Sequence, residues 1–186
     1  MLKQKLILAS QSPRRAEILK AVGWDFETVP ANIDESRLPG EHAITYVKRL
    51  AVTKAQTVAE TQVSGIVLGA DTVVVSDGEI LGQPRDDDDA RRMLRLLSGR
   101  WHEVLTGVAL INAHRPLVDH ETTRVRFAEM SVAEIDWYVS TGEQRGKAGA
   151  YGIQGRAALF IDEIEGDYFN VVGLPIRLVF ELLSRL

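Results

Sequence analysis

The sequence predicts a mixed α/β fold, in which helices pack on a sheet with both parallel and antiparallel strands. Helical and strand patterns alternate along the 186 residues, as in folds that cover a sheet with helices. Two connections are typical of hairpins, at Asp77-Gly78 and at His114-Arg115-Pro116, and a hairpin joins antiparallel strands. The pattern therefore favours a mixed sheet over a purely parallel one, and the length suits one domain or two lobes around one cleft.

The first half of the chain alternates between strands and helices. The short apolar run at 6–9 predicts a strand, and Ser12-Pro13 predicts a helix start, because Ser is a good N-cap and Pro fits the first helical position. Gly23 ends this helix. The predicted elements that follow are a strand at 24–29, a polar loop at 31–40, a helix at about 41–60, and strands at 66–75 and 79–81.

The second half begins with a helix at about 86–98 that carries four acids at its start and arginines further on. The helix dipole and i,i+4 pairing favour this order, so we interpret the acidic run as a helix start and not as a metal site. Ser131 and Glu134 have the spacing of a capping box for a helix that ends near Gly142. The remaining predicted elements are strands at 101–112, 117–127 and 157–161 and a terminal helix that begins at Pro175.

Composition excludes several classes of protein and of site. The formal net charge is −4 and the pI is near 5.6, whereas a general nucleic-acid binder usually has a basic patch and a high pI. The chain has no cysteine, which excludes disulfides and thiolate metal sites, and its four histidines lack zinc-site spacing. The apolar run at 6–9 is too short for a secretion signal or a membrane span, and we expect a cytoplasmic enzyme.

Two adjacent arginines break a local rule at the start of the first predicted helix. Arg14 and Arg15 lie in its first turn, where the helix dipole disfavours cations. A sequence tends to break such a rule where function requires it. With the free helix amides and the hydroxyls of Ser10 and Ser12, the two guanidinium groups would form an anion site, best suited to phosphate. The local sequence leaves open the alternative that both arginines point into water.

Asp71 is the strongest single candidate for chemistry. It lies between the apolar segments 66–70 and 73–75, where a carboxylate must be neutral, pair with a cation or bind a metal. We interpret it as a metal ligand or general base, with Gly69 and Ala70 leaving room for a ligand to approach. The alternative is an Asp that caps a turn at the end of a strand.

The roles of Lys54 and Glu35 depend on which groups the fold places next to them. Lys54 continues the apolar stripe of its predicted helix, where a lysine either snorkels to an edge or meets an anion. Glu35 follows Asp34 in a polar loop, and a solvated loop acid is the default interpretation. It matters if the fold brings it beside Asp71, because two carboxylates can share a Mg²⁺ that also touches phosphate oxygens. The apolar stripe consists of positions 44, 47, 51 and 58, with Leu50 beside it.

The segment 146–155 has a glycine at every third position. Such a loop allows the backbone to approach a ligand closely, and Gln154 offers both a donor and an acceptor to a base edge. The segment is not a Walker loop, because the spacing from Gly142 to Gly146-Lys147 is wrong and Ala148 replaces the required Ser or Thr.

Taken together, these segments resemble the Maf family of nucleoside triphosphate pyrophosphatases. They occur in the family's order over nearly the whole chain, and this combination is far more specific than any one segment. The matching segments are Leu8-Ala9-Ser10-Gln11-Ser12-Pro13-Arg14-Arg15, Asp34-Glu35, Arg49-Leu50-Ala51 with Lys54-Ala55, Gly69-Ala70-Asp71-Thr72, Leu81-Gly82-Gln83-Pro84, Leu97-Ser98-Gly99, Lys147-Ala148-Gly149-Ala150-Tyr151-Gly152-Ile153-Gln154-Gly155 and Val172-Gly173-Leu174-Pro175.

The resemblance implies one Maf-like domain over 1–186, with a two-lobed α/β fold like that of inosine triphosphate pyrophosphatases, a cleft between the lobes, and often a homodimer. It implies hydrolysis of a nucleoside triphosphate to the monophosphate and pyrophosphate with a divalent cation, Mg²⁺ or Mn²⁺. By position, Asp71 matches the family's proton acceptor, and a polar phosphate and metal cluster matches Ser10, Arg14, Glu35 and Lys54. Arg14 is therefore the arginine expected to touch substrate, and Arg15 is left as a surface or structural charge.

The resemblance also implies a subfamily. Members that act on dTTP and UTP are similar to this chain at Arg14, Thr72 and Gln154, whereas members that act on 7-methyl-GTP tend to carry Trp, Gln and Glu there. The chain departs from the family at Gln83, where a Lys is usual, and this loss of a cation should weaken phosphate binding or shift it onto the metal and Lys54. Two alternatives stay open: modified or noncanonical nucleotides as substrates, or, as the family's name suggests, a nucleotide-binding regulator of septum formation with little turnover.

Overall fold

The computed structural model of the chain describes residues 4–62, 64–113 and 115–186 and has the predicted mixed α/β fold. Met1–Lys3, and His114 of the second predicted hairpin, lie outside the described residues. The strands are β1 (Leu6–Leu8), β2 (Phe26–Thr28), β3 (Ile66–Ser76), β4 (Glu79–Leu81), β5 (Trp101–Asn112), β6 (Arg115–Phe127) and β7 (Ile161–Glu165). The α-helices are α1 (Pro13–Ala21), α2 (Ala43–Ala59), α3 (Asp87–Leu97), α4 (Val132–Ser140), α5 (Tyr168–Val172) and α6 (Ile176–Leu183). Across the described ranges, every helix is too short or too polar to cross a membrane.

The strands form one mixed sheet. Its order is β2-β1-β3-β5-β6-β7, and β4 pairs with β3 outside this path. Strand β1 is parallel to both β2 and β3, whereas the β3–β4 and β6–β7 pairs are antiparallel. The predicted Asp77-Gly78 hairpin joins β3 to β4, and both of its residues have positive φ, as a type I′ turn requires.

The described residues divide into two compact units. The first unit contains Met1–Asp71, Thr106–Glu121 and Gly173–Leu186, and the second contains Thr72–Leu105 and Thr122–Val172. In the second unit, apolar residues of α3, α4, β5 and β6 surround the buried Tyr138 and Phe127.

The predicted strand at 157–161 is wrong: Arg156–Phe160 is a 3₁₀ helix and β7 begins at Ile161. The buried pair Ala157 and Phe160 has the i,i+3 spacing of a 3₁₀ helix, not strand alternation.

In the first unit, helix α2 lies unusually close to the sheet because two strands present glycine beneath it. A Cβ added at Gly69 of β3 would lie 2.2 Å from the Ala51 carbonyl oxygen, and one at Gly107 of β5 would lie 2.3 Å from that of Val47. The space that Gly69 was expected to leave for a ligand is therefore filled by the backbone of α2. Ala51, Ala55 and Val58 of this helix complete the core, while Ile44, predicted on the same stripe, is 43% exposed.

Candidate active site

The site is built around a buried ion pair between β3 and α2. Asp71, in β3, is 7% exposed, and its Oδ1 lies 2.6 Å from Nζ of Lys54, which is 8% exposed. The close approach of α2 at Gly69, two residues before Asp71, brings the two side chains together. Of the two outcomes open to Lys54, the structure shows a buried lysine that meets an anion.

A second carboxylate shares the same ammonium. Oε1 of Glu35 lies 2.7 Å from Nζ of Lys54, and the side chain of Glu35 is 49% exposed. Glu35 and Asp71 are thus brought to one cation, as the two-carboxylate hypothesis requires. The pair combines one acid fixed in a buried strand with one half-exposed acid that a loop supplies.

Burial dominates the electrostatics of Asp71. Desolvation raises the pKa of its carboxyl group above the usual value, while Lys54 and Arg15 act in the opposite direction. A carboxylate with a raised pKa accepts a proton more readily than an exposed Asp does. This property suits a general base.

The two arginines of the α1 helix start have different surroundings. Arg15 is 8% exposed and donates from Nε to the Gly173 carbonyl (2.8 Å) and from Nη1 to the Ala70 carbonyl (2.9 Å) and to Ser10 Oγ (3.0 Å). Ser10 Oγ also accepts from the backbone N–H of Ser12 at 3.2 Å. Arg15 is therefore a structural cation that connects the segment after β1 to the residue before Asp71. The sequence left it as a surface or a structural charge, and the surface alternative is wrong.

Arg14, by contrast, is half-buried, and burial lowers the pKa of its guanidinium, opposed by the nearby Glu17. Ser12 occupies the predicted N-cap position of α1, but its side chain makes no capping hydrogen bond. Of the two arginines predicted to form an anion site at this helix start, Arg15 has a structural role instead. Arg14 and Ser10 remain the candidates for that site.

The remaining predicted site residues belong to the second unit. Thr72 is half-buried, and Gln83 and Gln154 are exposed. The segments that carry the two glutamines are joined, because the Gly149 N–H donates to the Gly82 carbonyl at 3.0 Å. The first unit thus brings together Asp71, Lys54 and Glu35, with Ser10 linked through Arg15, and the second unit brings the two glutamine segments together.

Three of the four glycines in the segment 146–155 make room for the protein's own atoms, whereas Gly146 has a positive φ and open space where a Cβ would lie. A Cβ at Gly149 would lie 2.8 Å from Val74 Cγ2, and one at Gly155 would lie 2.2 Å from the Glu143 carboxylate. The segment is also held by Tyr151, whose hydroxyl lies 2.8 Å from His102 Nε2. These glycines therefore shape the loop that presents Gln154, and the expected close approach of a ligand is not needed to explain them.

His102 should make the stability of the protein depend on pH. Burial lowers the pKa of its imidazole from 6.5 to about 4. The unfolded protein therefore binds a proton at His102 at a higher pH than the folded protein does. The contribution of the neutral, buried His102 to the free energy of unfolding is complete above pH 6.5 and is lost as the pH falls from about 6.5 to about 4. We expect the free energy of unfolding to decrease by about 3 kcal/mol over that window from this residue.

Urea unfolding at several pH values measures this effect. The His102→Gln variant, which cannot titrate, should lose the His102 part of the pH dependence. An unchanged slope in that variant would contradict the assignment.

The carboxylates of Glu35 and Asp71 have the oxygen atoms that a divalent cation requires. Within the described ranges, no group of three or more His, Cys, Asp or Glu residues is placed to hold a metal. Glu35 and Asp71 nevertheless already bind one cation together, the ammonium of Lys54, through one oxygen each. Mg²⁺ is usually held by one or two carboxylates with water and substrate phosphates filling the other positions. The two carboxylates therefore fit such an ion.

Sequence reasoning assigned no role to two residues next to this cluster, Tyr46, which it did not name, and Arg49, which it named only in a family-matching segment; both lie on α2. Tyr46 donates to the main chain of Glu35, and Arg49 to that of Ser36. Tyr46 lies eight residues before Lys54, a spacing that places both on one broad face of the helix, and this spacing is the signal that could have drawn attention to it.

Comparison with known proteins identifies the family. The family model described as Maf-like protein matches residues 5–186. A dTTP/UTP pyrophosphatase of Symbiobacterium thermophilum is 53% identical over 182 residues, covering 98% of this chain and 94% of that protein. One of Koribacter versatilis is 50% identical over 180 residues, covering 97% and 93%. Among solved structures, the Staphylococcus aureus Ham1 protein aligns with a TM-score of 0.49 at 12% identity, over 68% of this chain and 73% of that chain. The family match spans almost the whole chain, which therefore belongs to the Maf family.

Proposed function

We propose that this chain is a nucleoside triphosphate pyrophosphatase that hydrolyses dTTP and UTP to the monophosphate and pyrophosphate. The observation that carries the proposal is one buried ammonium, that of Lys54, in contact with the carboxylates of both Asp71 and Glu35. This arrangement offers a proton acceptor, a cation for phosphate and two oxygen ligands for a metal. Membership of the Maf family, and identities of 50% and 53% to proteins named dTTP/UTP pyrophosphatase, support the reaction and the substrates.

Asp71 is the proton acceptor of the proposed reaction. It takes a proton from the attacking water, whose oxygen bonds to the α-phosphorus. The bond from the α-phosphorus to the α–β bridging oxygen breaks, and pyrophosphate leaves with that electron pair. Burial, which raises the pKa of Asp71, strengthens it as a base.

The other groups hold the triphosphate and offset its charge. Glu35 and Asp71 would hold Mg²⁺ or Mn²⁺, which when bound neutralises phosphate oxygens. Lys54, Arg14 and Ser10 bind the phosphates. Removing one preorganised contact of this kind commonly lowers the rate by about 10²–10³-fold.

Specificity is proposed to come from Arg14, Thr72 and Gln154. The exposed amide of Gln154 both donates and accepts, which matches the N3–H and O4 edge of uracil and thymine. Gln83 is proposed to contact the phosphates without the positive charge that the family usually has there, which places more of the charge neutralisation on Lys54 and the metal.

We propose that the two units act as one Maf domain over 1–186, in the cytoplasm, on free nucleotides. The net charge of −4 supports a free nucleotide over a nucleic acid as the partner. A homodimer is part of the proposal, and the elution volume of the purified protein tests it.

A nucleotide panel with Mg²⁺ or Mn²⁺ tests the function. Pyrophosphate release should be fastest with dTTP and UTP, compared with the other common nucleoside triphosphates, 7-methyl-GTP and modified pyrimidine nucleotides. If the protein does not hydrolyse dTTP or UTP, the proposal is overturned. If it hydrolyses a modified nucleotide faster, that nucleotide is the preferred substrate and the proposed substrates are wrong. Gln83, which lacks the positive charge that the family usually has at this position, favours a second candidate, a nucleotide-binding regulator of septum formation, which would show tight binding with little turnover.

A further inference from the structure

The loop that carries Glu35 is fastened to helix α2 at two successive carbonyls. The Tyr46 hydroxyl donates to the Glu35 carbonyl at 2.7 Å, and Arg49 Nη2 donates to the Ser36 carbonyl at 3.1 Å. Both donors come from the first two turns of α2. Two consecutive peptide groups, Glu35–Ser36 and Ser36–Arg37, are therefore each bound through their carbonyl by a side chain of the helix.

Arg49 is itself held in place. Its Nε and Nη2 donate to the two carboxylate oxygens of Glu41 at 2.7 and 2.8 Å, a bidentate pair, and its guanidinium lies 5.5 Å from the ring centre of Tyr46. The Glu41 carboxylate also accepts from the backbone N–H of Leu38 at 3.1 Å. Glu41, Tyr46 and Arg49 thus form one connected support for the loop, which we call the loop anchor.

Of the two carboxylates, Glu35 is the one that needs such support. Asp71 belongs to an eleven-residue strand inside the sheet, and its position is set by the ladder and the core. Glu35 belongs to a segment without regular structure, and its side chain is 49% exposed. The loop anchor and Lys54 come from the same helix, so α2 binds Glu35 at its carbonyl through Tyr46 and at its carboxylate through Lys54.

We infer that Tyr46 and Arg49 are positioning residues, which fix the Glu35 carboxylate relative to Asp71 and thereby set the affinity of the site for a divalent cation. The inference rests on the proposed metal-dependent function. Groups that orient a metal ligand commonly change metal affinity by about 10–100-fold when they are lost.

Tyr46→Phe tests the inference by removing one oxygen. Mn²⁺ binding is measured by electron paramagnetic resonance of the free ion, with Mn²⁺ alone and with a non-hydrolysable α,β-imido analogue of dTTP. We expect the dissociation constant for Mn²⁺ to rise about 10-fold, with a much smaller fall in kcat at saturating Mn²⁺. Arg49→Lys, which cannot span Glu41 and Ser36, should act in the same direction. Tyr168→Phe, at an exposed tyrosine of α5, is the matched control and should bind Mn²⁺ like the wild type.

A double-mutant cycle separates positioning of Glu35 from a general structural role. In a Glu35→Gln background, Tyr46→Phe should cause little further loss of Mn²⁺ affinity, because the ligand it positions is already gone. Equal weakening in both backgrounds, or wild-type affinity in Tyr46→Phe and Arg49→Lys, would overturn the inference, as would a wild type that binds no Mn²⁺ under either condition. If the affinities follow the expected pattern while dTTP and UTP stay inert, the positioning role stands and the proposed substrates fail.

Discussion

Asp71→Asn is expected to lower the turnover of dTTP and UTP by about 10²–10⁴-fold, the usual contribution of a positioned general base. Asn has nearly the same shape as Asp but cannot take a proton from water. Its carbonyl oxygen still accepts a hydrogen bond from Lys54, whose ammonium keeps its contact with Glu35. The fold should therefore survive, and the loss should appear in kcat measured by pyrophosphate release at saturating nucleotide and metal.

The matched control is Asp162→Asn, an exposed aspartate of β7 near Arg126. It should retain wild-type turnover, because an exposed pair of this kind contributes little. Melting temperatures of both variants distinguish a lost base from a lost fold. Full activity in Asp71→Asn would remove Asp71 from the proposed role.

Gly69→Ala is expected to lower the stability of the protein strongly. The new methyl group would lie 2.2 Å from the Ala51 carbonyl oxygen and 2.9 Å from the Ala55 backbone nitrogen. Both atoms belong to the backbone of α2, so no side chain can turn aside and the helix itself must move. Overpacking of a core typically costs about 1–3 kcal/mol, and a rigid backbone neighbour places this variant at the upper end.

Thermal unfolding measures this cost, with a fall of about 2–4 °C in melting temperature for each kcal/mol in a protein of this size. Gly82→Ala is the control, since a Cβ there meets nothing within 4 Å and its φ is not in the left-handed region. Moving α2 also moves Lys54 away from Asp71, so turnover should fall in the Gly69 variant even well below its melting temperature. Wild-type stability in Gly69→Ala would mean that α2 is not held as closely as described.

Local sequence patterns predict a helix or strand correctly where residues close in sequence determine the local structure. The Ser131–Glu134 capping box forms at the start of α4, and the Asp86 side chain caps α3 at the Asp89 N–H. The strand predicted at 157–161 is wrong because the apolar residues there belong to a 3₁₀ helix. In a segment of five residues, the spacing of apolar residues does not distinguish such a helix from a strand.

The site depended on contacts that no local pattern encodes. The spacing of Lys54 placed it on a buried face, but its pairing with Asp71 across 17 positions follows from the closeness of α2 at Gly69. Arg14 and Arg15 are adjacent in sequence and about 100° apart around α1. Which of them turns inward depends on where β1, Ala70 and Gly173 offer acceptors, and this is a property of the assembled unit.

The hydrogen bonds of Ser10 determine what kind of ligand its side chain can accept. A serine hydroxyl has two lone pairs and one hydrogen. Both lone pairs are already engaged, by Arg15 Nη1 and by the Ser12 N–H. A metal ion would need a lone pair, whereas a phosphate oxygen needs a hydrogen. The fold has thus made Ser10 a hydrogen donor, suited to an anion and unsuited to a cation, before any nucleotide arrives.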